Sequence, residues 1–122
     1  MKRIIMAGAL LGLGFFFSML GCTRASVVCD LICTCEHCNT QAETEACNGL
    51  ATAEDVADAY GCTDKWETYT VCIEERGKCD ETESRFSTRD DRGNDRCQDE
   101  VDAYNECINK ASAHDGPSGG IN

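Results

Sequence analysis

The sequence predicts an all-α fold, a small disulfide-rich helical bundle, on three observations. Cysteine supplies 11 of the 122 residues, a density that marks a disulfide scaffold or a metal-thiolate protein. Apolar residues recur at the three-to-four spacing of a helical face in three separate segments, and the strict alternation that marks strands is nearly absent. The length suits one domain and no more. Eleven Gly and a single Pro exclude collagen-like and proline-rich architectures. Eleven basic against 22 acidic residues, net −11, lack the basic footprint of a nucleic-acid binder.

The chain opens on Lys2 and Arg3, followed by 17 uncharged residues from Ile4 to Leu20 and then Gly21-Cys22. A basic start, an apolar run and a small residue at the cut describe a signal peptide over residues 1–21. The run is marginal for a membrane-spanning helix, which needs roughly 20 apolar residues. Its end, Met19-Leu20-Gly21-Cys22, resembles the lipobox of bacterial lipoproteins, with Met19 where Leu is most usual. That resemblance implies cleavage before Cys22, diacylglycerol on the Cys22 thiol and acylation of the new amino end. An ordinary cleaved signal and an uncleaved anchor are the alternatives. Thr23 after the cysteine, rather than Asp, implies by the same analogy the outer membrane where an envelope has two. The first expected partner is therefore a membrane, held through two or more acyl chains, where one alone binds only marginally. The expected location is extracytoplasmic.

Cysteine arithmetic supports this address independently. Eleven Cys cannot all pair within one chain. With Cys22 lipidated, ten remain, at positions 29, 33, 35, 38, 47, 62, 72, 79, 97 and 107. Ten is even, and an extracytoplasmic compartment permits five disulfides. Cleavage also removes Lys2 and Arg3, leaving nine basic against 22 acidic residues, a net −13.

Residues 22–40 read as the lipid anchor and a Cys-rich segment, poor in apolar residues beyond Val27, Val28, Leu31 and Ile32. Residues 41–111 read as a disulfide-stabilised helical domain. Its first helix is announced by Thr40-Gln41-Ala42-Glu43, a Thr-x-x-Glu capping box. Ala42, Ala46, Leu50, Ala53, Ala57 and Tyr60 then share a face, and Gly61 suits the position that ends the helix. A second helix is expected from about Asp64 to Arg76, with Trp66, Tyr69 and Ile73 in line and Gly77 stopping it. Residues 78–93 are polar and read as a long exposed loop. A third helix is expected from about Asp95 to Ala111, where Cys97, Val101, Tyr104, Ile108 and Ala111 align. Residues 112–122, with Gly-Pro-Ser-Gly-Gly, read as a flexible tail.

Two segments repeat one pattern. Cys62-Thr-Asp-Lys-Trp-Glu-Thr-Tyr69-Thr-Val-Cys72 and Cys97-Gln-Asp-Glu-Val-Asp-Ala-Tyr104-Asn-Glu-Cys107 are both Cys-x6-Tyr-x2-Cys. Ten residues, a heptad plus three, separate the two Cys of each, so both lie on one seam with Tyr between them. Helices side by side can be clamped at both ends, because neighbouring axes bring seam backbones within disulfide reach. Each clamp contributes roughly 3–4 kcal/mol. The core is thin enough to need it, because its large apolar side chains are only Leu50, Val56, Trp66, Tyr69, Ile73, Val101, Tyr104 and Ile108.

Residues 62–107 resemble the twin Cys-x9-Cys, or coiled-coil-helix–coiled-coil-helix, proteins, which are helical hairpins with an aromatic at the same place before the second Cys. The resemblance implies an antiparallel hairpin with the pairs Cys62–Cys107 and Cys72–Cys97. The 24 residues between the motifs and the extra Cys79 depart from that pattern. The familiar members are mitochondrial and this address is bacterial, so shared structure need not mean shared function. The Cys layout also looks like small Cys-rich predicted lipoproteins of myxobacteria, a group from which no activity carries over. Pairing among Cys29, Cys33, Cys35, Cys38, Cys47 and Cys79 stays open.

Cys33-Thr-Cys35-Glu-His37-Cys38 is the sharpest site for chemistry. Three thiolates could hold Cu(I), or Zn(II) with His37 or Cys29 as a fourth ligand. A copper chaperone of the twin Cys-x9-Cys family binds metal through clustered Cys ahead of its hairpin. The competing reading, which oxidising surroundings and an even total favour, makes these cysteines disulfide partners. Cys35-x-x-Cys38 lacks the strand pattern around it that a thioredoxin-type dithiol needs. The Asp90–Asp95 cluster has no Gly at the sixth position that a calcium loop needs and puts Arg92 at a ligand position. Trp66 and the seam Tyr read as core. Two His, and no nucleophile elbow, phosphate loop or zinc-protease motif, leave no catalytic set. The expectation is a non-enzyme without a cofactor, serving the cell envelope as a structural or protein-interaction module with an envelope protein as possible partner. The alternative is a metallochaperone or metal-buffering lipoprotein.

Overall fold

The computed structural model describes residues 22–114. The expected signal peptide, residues 1–21, and residues 115–122 of the expected tail lie outside the described residues. Four helices and one small hairpin follow in the order α1 (Arg24–Glu36), α2 (Thr40–Ala59), α3 (Thr63–Arg76), β1 (Lys78–Asp80), β2 (Arg85–Ser87) and α4 (Gln98–His114). The protein is all-α, a small disulfide-rich bundle, with the two short strands as its only sheet among the described residues.

Helix α1 lies in the Cys-rich segment, ahead of the three helices expected from Thr40 onward. Thr23 caps it, its hydroxyl accepting the Ser26 amide at 3.2 Å. Ala25, Val28, Cys29 and Cys35 are buried along one side, which is a 3.6-residue stripe once cysteine counts as apolar. The start of α2 is a correction. Asn39, not Thr40, is the N-cap, its Oδ1 accepting the Ala42 amide at 2.9 Å, and Thr40 is the first helical residue. Asn and Thr are both competent caps, and here the chain uses the earlier one. The helix ends in a Schellman motif. The Cys62 amide reaches back to the Ala57 carbonyl at 2.7 Å and the Gly61 amide to Asp58 at 3.1 Å. Gly61 takes the left-handed φ of 67° that this closure requires.

Helix α3 runs as expected to Arg76. Helix α4 starts at Gln98 rather than Asp95 and continues to His114, three residues past the expected Ala111. Asp95 instead closes the turn ahead of α4, its Oδ1 accepting the Cys97 amide at 2.9 Å and the Thr88 hydroxyl at 2.8 Å.

The expected loop over 78–93 holds an antiparallel hairpin pairing Lys78 with Ser87, Cys79 with Phe86 and Asp80 with Arg85. Strands of three residues are too short for alternation to register in sequence. The Phe86 ring lies over Gly77, where a Cβ would strike both that ring and the Ile73 carbonyl. A Gly77→Ala protein should therefore lose about 2 kcal/mol by overpacking. Urea denaturation checks this, and an unchanged midpoint would show that the hairpin can swing away freely.

The helices form two antiparallel hairpins, α1–α2 and α3–α4, packed through α1 and α2 against α3. The core centres on Ala25, Ala57, Cys62 and Trp66, with Leu50, Ala53, Tyr60, Tyr69, Tyr104, Cys107 and Ile108 packed around it. The two seam tyrosines meet, with the rings of Tyr69 and Tyr104 stacked at 6.4 Å, and Trp66 is tilted against Tyr104 at 5.5 Å. Burial pushes both phenols up in pKa, and the Asp95 charge adds to the effect on Tyr69. Tyr104 also ties α4 to α2, its hydroxyl donating to the Ala53 carbonyl at 3.2 Å.

Candidate functional site

The chemistry of this chain is concentrated in its sulfurs, and the fold decides what each can do. Cys62 is bonded to Cys107 and Cys72 to Cys97, with Cα separations of 6.0 and 5.8 Å. The start of α3 is thus joined to the late part of α4 and the end of α3 to the residue before α4, the clamps of an antiparallel hairpin. Cys29 is bonded to Cys47, joining α1 to α2. Cys35 is bonded to Cys79, fastening the β-hairpin to α1. A hydrogen bond from the Phe86 amide to Glu36 Oε1 at 3.1 Å reinforces that junction.

Cys33 is bonded to Cys38 across the end of α1. The Cys38 amide donates to the Cys33 carbonyl at 3.2 Å, and His37 between them takes a left-handed φ of 52°. The His37 amide donates to the same carbonyl, so the end shares the six-to-one bond of a Schellman closure, in which an apolar contact usually joins these two positions. Here a covalent bond does so and holds a non-glycine residue in a conformation that costs roughly 1–2 kcal/mol.

The Cys33, Cys35 and Cys38 cluster is consequently divided between two bridges, with Cys29 in a third. None of these sulfurs is a thiolate in this state, so the arrangement offers no soft-metal donor set. Cys35 and Cys38 are not bonded to each other, and the Cys-x-x-Cys spacing is not a redox pair here. One further convergence was not legible in the sequence, where Cys72, Cys97 and Glu100 bring ligand atoms within 4.8 Å of one another. Both sulfurs are again spent on their own disulfide. The Asp90 turn is self-satisfied. Its carboxylate accepts the amides of Arg92 and Asn94, each at 2.9 Å, and the Asn94 amide above all holds its pKa below the usual carboxylate range.

Cys22 stands apart as the free cysteine among the described residues, and it is exposed. It directly precedes the cap of α1, and the residues just after it are pinned. The amides of Arg24 and Ala25 donate to the Glu54 carboxylate at 3.1 and 3.3 Å. The Arg24 guanidinium reaches Thr70 Oγ1 at 3.3 Å and Glu74 Oε2 at 2.7 Å. Cys22 therefore stands directly beside a fixed helix end.

The fold and its bridges define a class, a small acidic helical bundle in which disulfides supplement a thin core. Five disulfides are consistent with an extracytoplasmic protein. Among the described residues no helix is long and apolar enough to cross a membrane. No protein-family model matches the chain, and comparison with curated proteins and with solved structures returns no match either.

Proposed function

We propose that this chain is a lipid-anchored extracytoplasmic protein, held to the membrane through Cys22 and serving the cell envelope as a structural or protein-interaction module. The observation that carries the reading is the division of the cysteines. Ten form five bridges, and the one left over is exposed and stands at the end of the lipobox-like Met19-Leu20-Gly21-Cys22. A thiol without a partner in a disulfide-rich chain calls for a separate use, and acylation is the one its neighbours resemble. The short run from Cys22 to the pinned Arg24 would then seat the domain directly on the bilayer surface. A rigid, acidic, disulfide-clamped bundle without a catalytic set suits display and contact better than turnover.

Intact mass of the protein extracted from membranes without chelator, before and after alkylation under denaturing conditions, tests this. The expected species begins at Cys22, carries acyl groups, lacks two hydrogens per bridge and takes up no alkylating agent. A Cys22→Ala protein should stay unprocessed and unacylated. If that variant is still processed and membrane-bound, the anchor is wrong. Thiols that become reactive only on unfolding, with a metal adduct in the native spectrum, would make Cys33, Cys35 and Cys38 a metal site instead.

A further inference from the structure

A groove of about 830 Å³ runs between α1 and the β-hairpin. Its floor is apolar, with Val27 and Leu31 one turn apart on α1, the Cys35–Cys79 bridge beyond them and Phe86 across. Val27, Leu31 and Phe86 are only half-buried, so this apolar surface is left unfinished by the bundle. The rim carries Asp30 and Glu81 and no Lys or Arg, with His37 as its remaining titratable group. Neither rim carboxylate has a hydrogen bond or ion pair among the described residues, whereas Glu36, Glu54 and Glu74 nearby are all engaged. A second large groove, lined by both strands of the hairpin, mixes Lys78, Arg85 and Arg89 with its acids and offers no such single sign.

We propose that this groove docks a short extended segment of a partner protein in which apolar side chains alternate with Lys or Arg. The apolar side chains would cover Val27, Leu31 and Phe86, and the cations would sit against Asp30 and Glu81. Charge complementarity commits the occupant. A floor without cations and a rim of two unpaired carboxylates favour a ligand with an apolar body and positive charge, and reject an anionic one by like-charge repulsion. Length agrees, because Val27 to Cys35 spans about 12 Å at 1.5 Å per helical residue, the reach of three to four extended residues. The proposal rests on the interaction-module reading and names the surface that does the contacting.

The test uses the processed, oxidised protein in nanodiscs and measures its affinity by surface plasmon resonance for short peptides alternating Leu with Lys, Leu with Glu, or Leu with Ser. The Lys peptide should bind tightest and the Glu peptide least. Asp30→Asn/Glu81→Gln should weaken the Lys peptide about tenfold, and Phe86→Ala should weaken both the Lys and the Ser peptides. Glu43→Gln/Asp55→Asn, which removes two acids from α2, should leave affinities unchanged. Equal binding of all three peptides, no binding, or equal sensitivity to the α2 control overturns the groove. Sensitivity to the α2 control alone would move the contact surface to that helix and keep the interaction reading. The anchor is judged separately by the mass of the Cys22 species.

Discussion

A Cys62→Ser/Cys107→Ser protein should lose about 4 kcal/mol of stability, a large share of what a small domain has to spare. The two cysteines are 45 residues apart, and closing a loop of that length removes roughly 4 kcal/mol of unfolded-chain entropy. Total stability for such a domain is about 5–15 kcal/mol. The site aggravates the loss, because Cys62 is fully buried at the centre of the core, and a serine hydroxyl there would need a hydrogen-bond partner. Urea denaturation of the oxidised protein checks the size of the effect. Cys33→Ser/Cys38→Ser is the internal control, since its partners are only 5 residues apart and the same treatment gives about 2 kcal/mol. Comparable losses in the two proteins would mean that native-state geometry, and not loop closure, dominates the contribution of these bridges.

The parts of this fold that could be read in advance share a physical cause. In α3 and α4 the apolar residues are large and isolated among charged ones, so Trp66, Tyr69 and Ile73, or Val101, Tyr104 and Ile108, stand out at helical spacing. Paired Cys at ten-residue intervals then place two bridges on facing seams. Helix α1 was hidden because its buried stripe is built partly from Ala25, Cys29 and Cys35, and a cysteine weighed only as a bridging residue drops out of the hydrophobic pattern. The hairpin was hidden because its order comes from elsewhere, from the Cys35–Cys79 bond, from Glu36 holding the Phe86 amide, and from Gly77 leaving room for the Phe86 ring. Each of those is a contact between residues 44 to 50 apart, apart from the last, and local spacing carries no trace of it. The groove between α1 and the hairpin was invisible for the same reason, since neither wall was expected. That one cysteine stands outside the bridges, by contrast, followed from the odd total of eleven.

Replacing Trp66 should separate packing from hydrogen bonding within this core. Trp66 is 2% exposed and touches both seam tyrosines. Its indole Nε1 is buried with no hydrogen-bond partner among the described residues. Trp66→Ala removes the largest side chain of the core, and the surrounding structure is held by Cys62–Cys107 and Cys72–Cys97, which limit how far it can collapse into the space. The loss should therefore lie toward the upper part of the usual range for such truncations, about 3–5 kcal/mol. Trp66→Phe should behave differently. It keeps an aromatic face for Tyr69 and Tyr104 and gives up a donor with no partner among the described residues. A buried donor left unpaired costs about 1–3 kcal/mol, and its removal offsets the smaller ring's lost contact. Trp66→Phe is accordingly expected within about 1 kcal/mol of the parent. Denaturation midpoints of the two variants decide the matter, with far-ultraviolet circular dichroism confirming the helices. If Trp66→Phe were as damaging as Trp66→Ala, the indole N–H would have to be engaged, and a buried water between α3 and its neighbours would be the partner to seek.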